Sequence, residues 1–200
     1  MTLADRWPLT SGADLRDALL AAYADPARGY HDARHLTEVL DRLDDLARGG
    51  ADYDRLPVVL AAWFHDGVYD GGADVEERSA AWAEEALPGL GVGVGVGTVA
   101  ETARLVRLTT THRPADVDAN GHALSDADLA ILAAPAVRYA EYTAAVRTEY
   151  AAVPDADFHA GRVAVLRDLL AKPHLFHTAH GRRHWEADAR ANVARELDSY

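Results

Sequence analysis

His65 and Asp66 stand side by side at the end of the apolar run VVLAAWF. Burying an imidazole and a carboxylate there is costly unless something pairs with them. A divalent cation would pair with both at once, and bound there it could activate a water or polarise a substrate oxygen. The chain has no cysteine. Thiolate nucleophiles, disulfides and Cys-ligated zinc or iron–sulfur centres are therefore excluded, which leaves His, Asp and Glu as metal ligands. The competing reading is a buried His and Asp satisfied by hydrogen bonds alone. Successive helical residues point about 100° apart, so both side chains reach one ion only at a helix end or a distortion, and Gly67 next in line supplies that freedom.

The elements that must position this pair read as helices. Ser11 followed by Asp14, Leu15, Ala18, Leu19 and Ala22 predicts a capped amphipathic helix ending before Pro26. The segment GYHDARHLTEVLDRLDDLARGG places His31, His35, Leu36, Val39, Leu40, Leu43 and Leu46 at helical spacing, with His31 and His35 on one face and Gly49 and Gly50 as the stop. Asp54 and Pro57 open a third helix, LPVVLAAWFHDGVYD, apolar almost all round and so expected in the middle of the fold. A helix over 76–86 is closed by Pro88, and GLGVGVGVG reads as a spacer because alternating glycines cost too much helix entropy. Helices are expected to resume over 98–110, 125–133, 135–152, 155–171 and 183–197. No period-2 strand and no repeat is evident. The predicted architecture is an all-α bundle forming one domain, 1–200.

With 49% apolar and 26% charged residues the chain has material for a packed interior. Its formal charge of -12 argues against a nucleic-acid polymer or an anionic membrane as partner, because both are bound through excess Lys and Arg. No apolar run approaches the roughly 20 residues of a membrane helix, and MTLADRWPLT lacks the pattern of a secretion signal, so a cytoplasmic location is expected. A small anionic substrate fits if a metal and local arginines reverse the field in one pocket. Self-association into a homo-oligomer is left open.

A His on an earlier helix, the His-Asp pair on the next, and an Asp in the later segment SDADLAIL follow one another in order. His35, His65–Asp66 and Asp128 resemble the H…HD…D signature of the HD superfamily of metal-dependent phosphohydrolases. RGYHDARHL, LAAWFHDGVYD, VEERSA, LTTTH, SDADLAIL, YTAAVRTEY and EADARANVAREL are similar, in that order, to the successive blocks of one branch of that superfamily, from Arg28 to Leu197. The resemblance implies an HD-domain helical bundle that hydrolyses a phosphate ester, with nucleotides as one substrate class. It also implies a divalent metal on His35, His65, Asp66 and Asp128. Asp126 is the alternative last ligand; two positions apart on a helix face differently, and Ser125 and Asp126 also read as helix-start residues. Mixed nitrogen and oxygen ligands suit Mn, Fe, Co, Ni or Zn better than Ca or Mg.

Around the metal, Asp70 is the first candidate for a proton acceptor, four residues after Asp66. Glu76 and Glu77 follow, although acids in a helix's first turn are also favoured by its dipole. His31, a turn before His35, is a candidate contact to a ligand imidazole or to the substrate phosphate. His112 is either a second-metal ligand or a helix C-cap. Arg28 and Arg34 stand beside the signature as phosphate clamps, with Arg113 and Arg147 more distant. Tyr30, Trp63, Phe64 and Tyr69 read chiefly as core, with Tyr30 or Tyr69 able to line a sugar or base. His174, His177, His180 and His184 form a competing cluster, but Gly181 in the loop-like TAHGRRH interrupts it, so these are read as surface or adventitious sites. Two further readings are a di-iron oxygenase using His112, and a nucleotide-binding helical sensor with little turnover.

Overall fold

The computed structural model describes residues 2–91 and 93–200, and among these the chain is all-helical with no strand. Ten α-helices follow a short 3₁₀ helix: α1 Ala13–Tyr23, α2 Ala33–Arg48, α3 Arg55–Phe64, α4 Val75–Ala86, α5 Val96–Leu108, α6 Ala119–Leu129, α7 Ala136–Glu149, α8 Asp155–Ala171, α9 Ala179–His184 and α10 Glu186–Leu197. A second 3₁₀ helix, Ala130–Ala133, continues α6.

The apolar third helix has no solvent face. Every residue from Pro57 to Phe64 is buried, and α3 packs among α2, α4, α5 and α6. Pro57 falls in its first turn, where the missing N–H costs no helical hydrogen bond. Around this axis α2 buries Leu36, Val39, Leu40, Leu43 and Leu46 along one stripe. On the far side of α6, α10 packs against α8 and the second 3₁₀ helix, and α7 rests on that same turn.

Several predicted boundaries move, each for a local reason. Helix α3 ends at Phe64 rather than running on through HDGVYD, where the Gly67 N–H closes a turn on Phe64 O. Gly12, in a left-handed conformation, begins α1, while the Ser11 hydroxyl donates to Leu90 O. Helix α2 starts after His31, because the Asp32 carboxylate accepts the N–H groups of Arg34 and His35. Helix α5 starts at Val96, inside the glycine-rich stretch, with Val92 outside the described residues. Helix α6 starts at Ala119, where Asp118 accepts the Gly121 N–H, so Ser125 and Asp126 lie inside it rather than at its start. TAHGRRH is not a loop: Thr178 caps α9 through the Gly181 N–H, and α10 follows after Trp185.

Candidate metal centre

Each of the three elements that meet at the site ends or begins where its ligand stands. His35 occupies the first turn of α2, held by the Asp32 cap and buried. His65 is the residue at which α3 ends. Its Nδ1–H donates to Ala62 O at 2.8 Å, which leaves the Nε2 lone pair for another partner. The chain then turns through Asp66 to Gly67, whose N–H returns to Phe64 O. Gly67 is not in a left-handed conformation. It is needed for space, because a Cβ there would lie 3.1 Å from Phe64 O and 3.2 Å from the Trp82 ring. Asp128 sits in the last turn of α6.

Their donor atoms converge. His35 Nε2 lies 3.0 Å from His65 Nε2, 3.3 Å from Asp66 Oδ2 and 3.2 Å from Asp128 Oδ1. His65 Nε2 is 3.0 Å from Asp66 Oδ2 and 3.7 Å from Asp128 Oδ1. Two donors held about 2.1 Å from one ion are about 3.0 Å apart at a right angle and about 3.4 Å apart at a tetrahedral one, so the separations among His35, His65 and Asp66 match the edges of a coordination polyhedron, while the 3.7 Å from His65 to Asp128 is longer. His35, His65 and Asp66 form the compact part of the set, and Asp128 joins it through the two imidazoles. Asp66 Oδ2 is buried without a hydrogen-bond partner. Beside it are the His65 and His35 Nε2 nitrogens at 3.0 and 3.3 Å, and a cation would fit this donor set.

The electrostatics point the same way. Burial works against a charged His35, but the Asp128 and Asp66 carboxylates override it and hold the imidazole up to about 10. Burial likewise opposes ionised Asp66 and Asp128, and the surrounding imidazoles, His65 foremost, pull both carboxyls well below the usual range. Two carboxylates in this spot call for positive charge. His112 Nε2 lies 3.5 Å from Asp128 Oδ2, on a backbone with φ of 48°. Its Nδ1 is buried and unpartnered, and burial pushes it below the usual histidine value.

Position Asp126 faces elsewhere. Roughly 200° around the helix from Asp128, its carboxylate accepts His177 N–H at 2.7 Å, Thr178 N–H at 2.8 Å and the Thr178 hydroxyl at 2.7 Å, which pins the start of α9. Arg28 donates to three carbonyls, those of His31, Asp66 and Gly67, so it braces the ligand loop. Arg34 is exposed and paired with Glu38 and Glu141. Asp70 holds exposed Arg78 bidentately, which lowers its carboxyl to about 2. Glu77 pairs with Arg107, whereas Glu76 lines the cleft. Arg113 pairs with Asp168 and Arg147 with Asp155. Tyr30 packs on the His35 ring at 4.7 Å, with its hydroxyl buried and unpartnered. Trp63 and Phe64 are core. Of the C-terminal histidines, His180 and His184 lie one turn apart with ring centroids 4.6 Å apart, on the short α9.

Sequence reasoning missed Glu149. Its Oε1 accepts the N–H groups of Gly29, Tyr30 and His31 at 2.8–3.0 Å, and its Oε2 accepts from His31 Nδ1 at 2.8 Å. Tyr69 stacks on the His31 ring at 4.1 Å and its hydroxyl donates to the same Oε2 at 3.4 Å. Gly29 permits this approach, since a Cβ there would collide with Ala145 O and the Glu149 side chain. The available signal was an acid in the last turn of a helix, where the dipole disfavours it.

Above the ligands the surface opens into two cavities that share His31, Tyr69, His112 and Asp128. One, about 860 Å³, reaches over Asp25, Asp70 and Glu76; the other, about 810 Å³, runs between α7 and α8. No protein-family model, curated protein or solved structure matches the chain.

Proposed function

We propose that the chain is a metal-dependent phosphohydrolase that cleaves a phosphate ester, with His35, His65, Asp66 and Asp128 as the ligands. The observation that carries this reading is the cluster of His35, His65 and Asp66 donor atoms beneath an open cleft, with Asp128 Oδ1 3.2 Å from His35 Nε2. The resemblance to the H…HD…D signature supports it from the sequence. Bound there, a divalent cation such as Mn, Fe, Co, Ni or Zn supplies an acidified water and neutralises phosphoryl oxygens.

The chain's own residues complete the chemistry. Ester hydrolysis breaks the P–O bond to the alcohol as a new one forms to the water oxygen, and the departing oxygen needs a proton. His31 stands at the junction of both cavities with Nδ1 fixed by Glu149, so Nε2 is its atom for holding that proton. Arg28 holds the carbonyls of Asp66 and Gly67 and keeps the ligand turn rigid. The stacked Tyr69 keeps His31 from rotating.

The test is elemental analysis of tagless protein together with turnover of generic phosphate esters in added Mn, Co, Ni or Mg. Metal-dependent hydrolysis should vanish in His65→Ala and Asp66→Ala. A second reading, a di-iron oxygenase, draws on His112 lying 3.5 Å from Asp128. Two irons per chain with no ester hydrolysis would favour it and remove the first reading.

A further inference from the structure

One part of the cavity between α7 and α8 is apolar, lined by Ile131, Leu132, Val146, Phe158, Val165 and Leu169, while tyrosine, threonine and aspartate side chains line the remainder, which reaches His112 and Asp128 at the candidate metal centre. Its volume of about 810 Å³ is in the range of small-molecule sites. A carboxamide, which offers a donor and an acceptor side by side, is one common means of reading a base edge. The whole chain has two asparagines and no glutamine. Both asparagines are committed: Asn120 to Glu101 and the Asp54 N–H, Asn192 to the carbonyls of Leu132 and Ala134.

The charges also count against a polyphosphate. Among the described residues, the cavity over Asp25, Asp70, Glu76 and Glu149 has no Lys or Arg in its lining. The cavity between α7 and α8 has two. Arg162 is bound to Glu196 at 2.7 Å and to the Tyr142 hydroxyl at 3.0 Å, and the other is Lys172. A chain of phosphates brings several negative charges that this surface would repel, whereas a single phosphate needs only the metal centre and one nearby cation.

We infer that the substrate is the monophosphate ester of an apolar alcohol, whose alkyl or aromatic group occupies the cavity between α7 and α8 while its phosphate lies over the metal centre. This rests on the phosphohydrolase reading and names its substrate class. Gly161 gives a clean probe. It lies within α8 and lines the cavity, and a Cβ built there meets nothing within 4 Å. The position is solvent-exposed, so a larger side chain can be accommodated where it borders the cavity, and it improves helix propensity.

The experiment is calorimetric titration of the Mn²⁺-loaded chain with methyl-, butyl- and octylphosphonate and with the phosphonate analogue of adenosine monophosphate, none of which is hydrolysed. Affinity should climb by roughly fourfold per methylene until the cavity is full, and the nucleotide analogue should bind more weakly than the octyl compound. Gly161→Phe should flatten the series while metal content stays the same. Val165→Asp, at a position already 51% exposed, should do so independently. Affinity that ignores chain length, or that favours the nucleotide analogue, overturns the assignment. Hydrolysis of a small aryl phosphate, run beside the titration, separates the two levels: turnover without the chain-length trend sinks only the substrate class, and neither turnover nor phosphonate binding sinks both.

Discussion

Glu149 shows how one side chain can set up another at a distance in sequence. Three backbone N–H groups fix its carboxylate, and the remaining oxygen fixes His31, 118 residues away. His31 touches the cleft, and on the proposed reading Glu149 acts through it as a positioning residue. Glu149→Gln keeps the shape but weakens the acceptor for His31 Nδ1. It is expected to lower kcat by about 10- to 100-fold with metal content unchanged, while His31→Ala costs about 100- to 10,000-fold. Steady-state kinetics beside elemental analysis checks both. Equal turnover in Glu149→Gln and the native chain would mean the carboxylate only anchors the Gly29–His31 backbone. Asp70, the first sequence candidate for a proton acceptor, is paired through both of its oxygens with Arg78.

At the scale of elements, the proposed ligands depend on how helices begin and end. His35 is placed by the α2 cap, so Asp32→Ala should cost about 0.5–2 kcal/mol in stability and should also weaken metal binding, because the turn that frays carries a ligand. Thr37→Ala, one turn further along α2 with its hydroxyl on Ala33 O, provides the comparison. Denaturant melts and metal titrations of the two variants distinguish cap loss from general weakening, and undiminished metal affinity in Asp32→Ala would show that α2 is held in place by packing alone. The choice between Asp126 and Asp128 is also an element-scale matter. It follows from α6 starting at the Asp118 cap, which puts both acids inside the helix on different faces.

For the whole molecule, the buried cluster links folding to pH and metal. His35 has a folded value of about 10 against 6.5 for an ordinary histidine. In metal-free protein its contribution to stability is therefore complete below about 6.5 and is lost as pH rises toward about 10. Asp66 and Asp128 are depressed, so theirs is present above the ordinary carboxylate range and is lost on acidification. A metal takes His35 as a neutral ligand, so loading near pH 8 should release about one proton per chain and remove the alkaline decline. Melting temperature against pH, with and without Mn²⁺, measures this. Parallel curves would mean that the metal does not engage His35. Among the described residues no helix is long and apolar enough to cross a membrane.

The sequence by itself determined the helical class and the burial of α3. Those features follow from periodicity, apolar runs and local breakers, which act within a turn or two of chain. Only the tertiary structure decided that Asp128 faces His35 while Asp126 pins α9, that Arg28 braces carbonyls, and that Glu149 reaches His31. Each depends on where a helix starts in register and which distant backbone it meets. Those outcomes are set by packing around α3, because a hydrogen bond between groups far apart in the chain leaves no periodic trace in it.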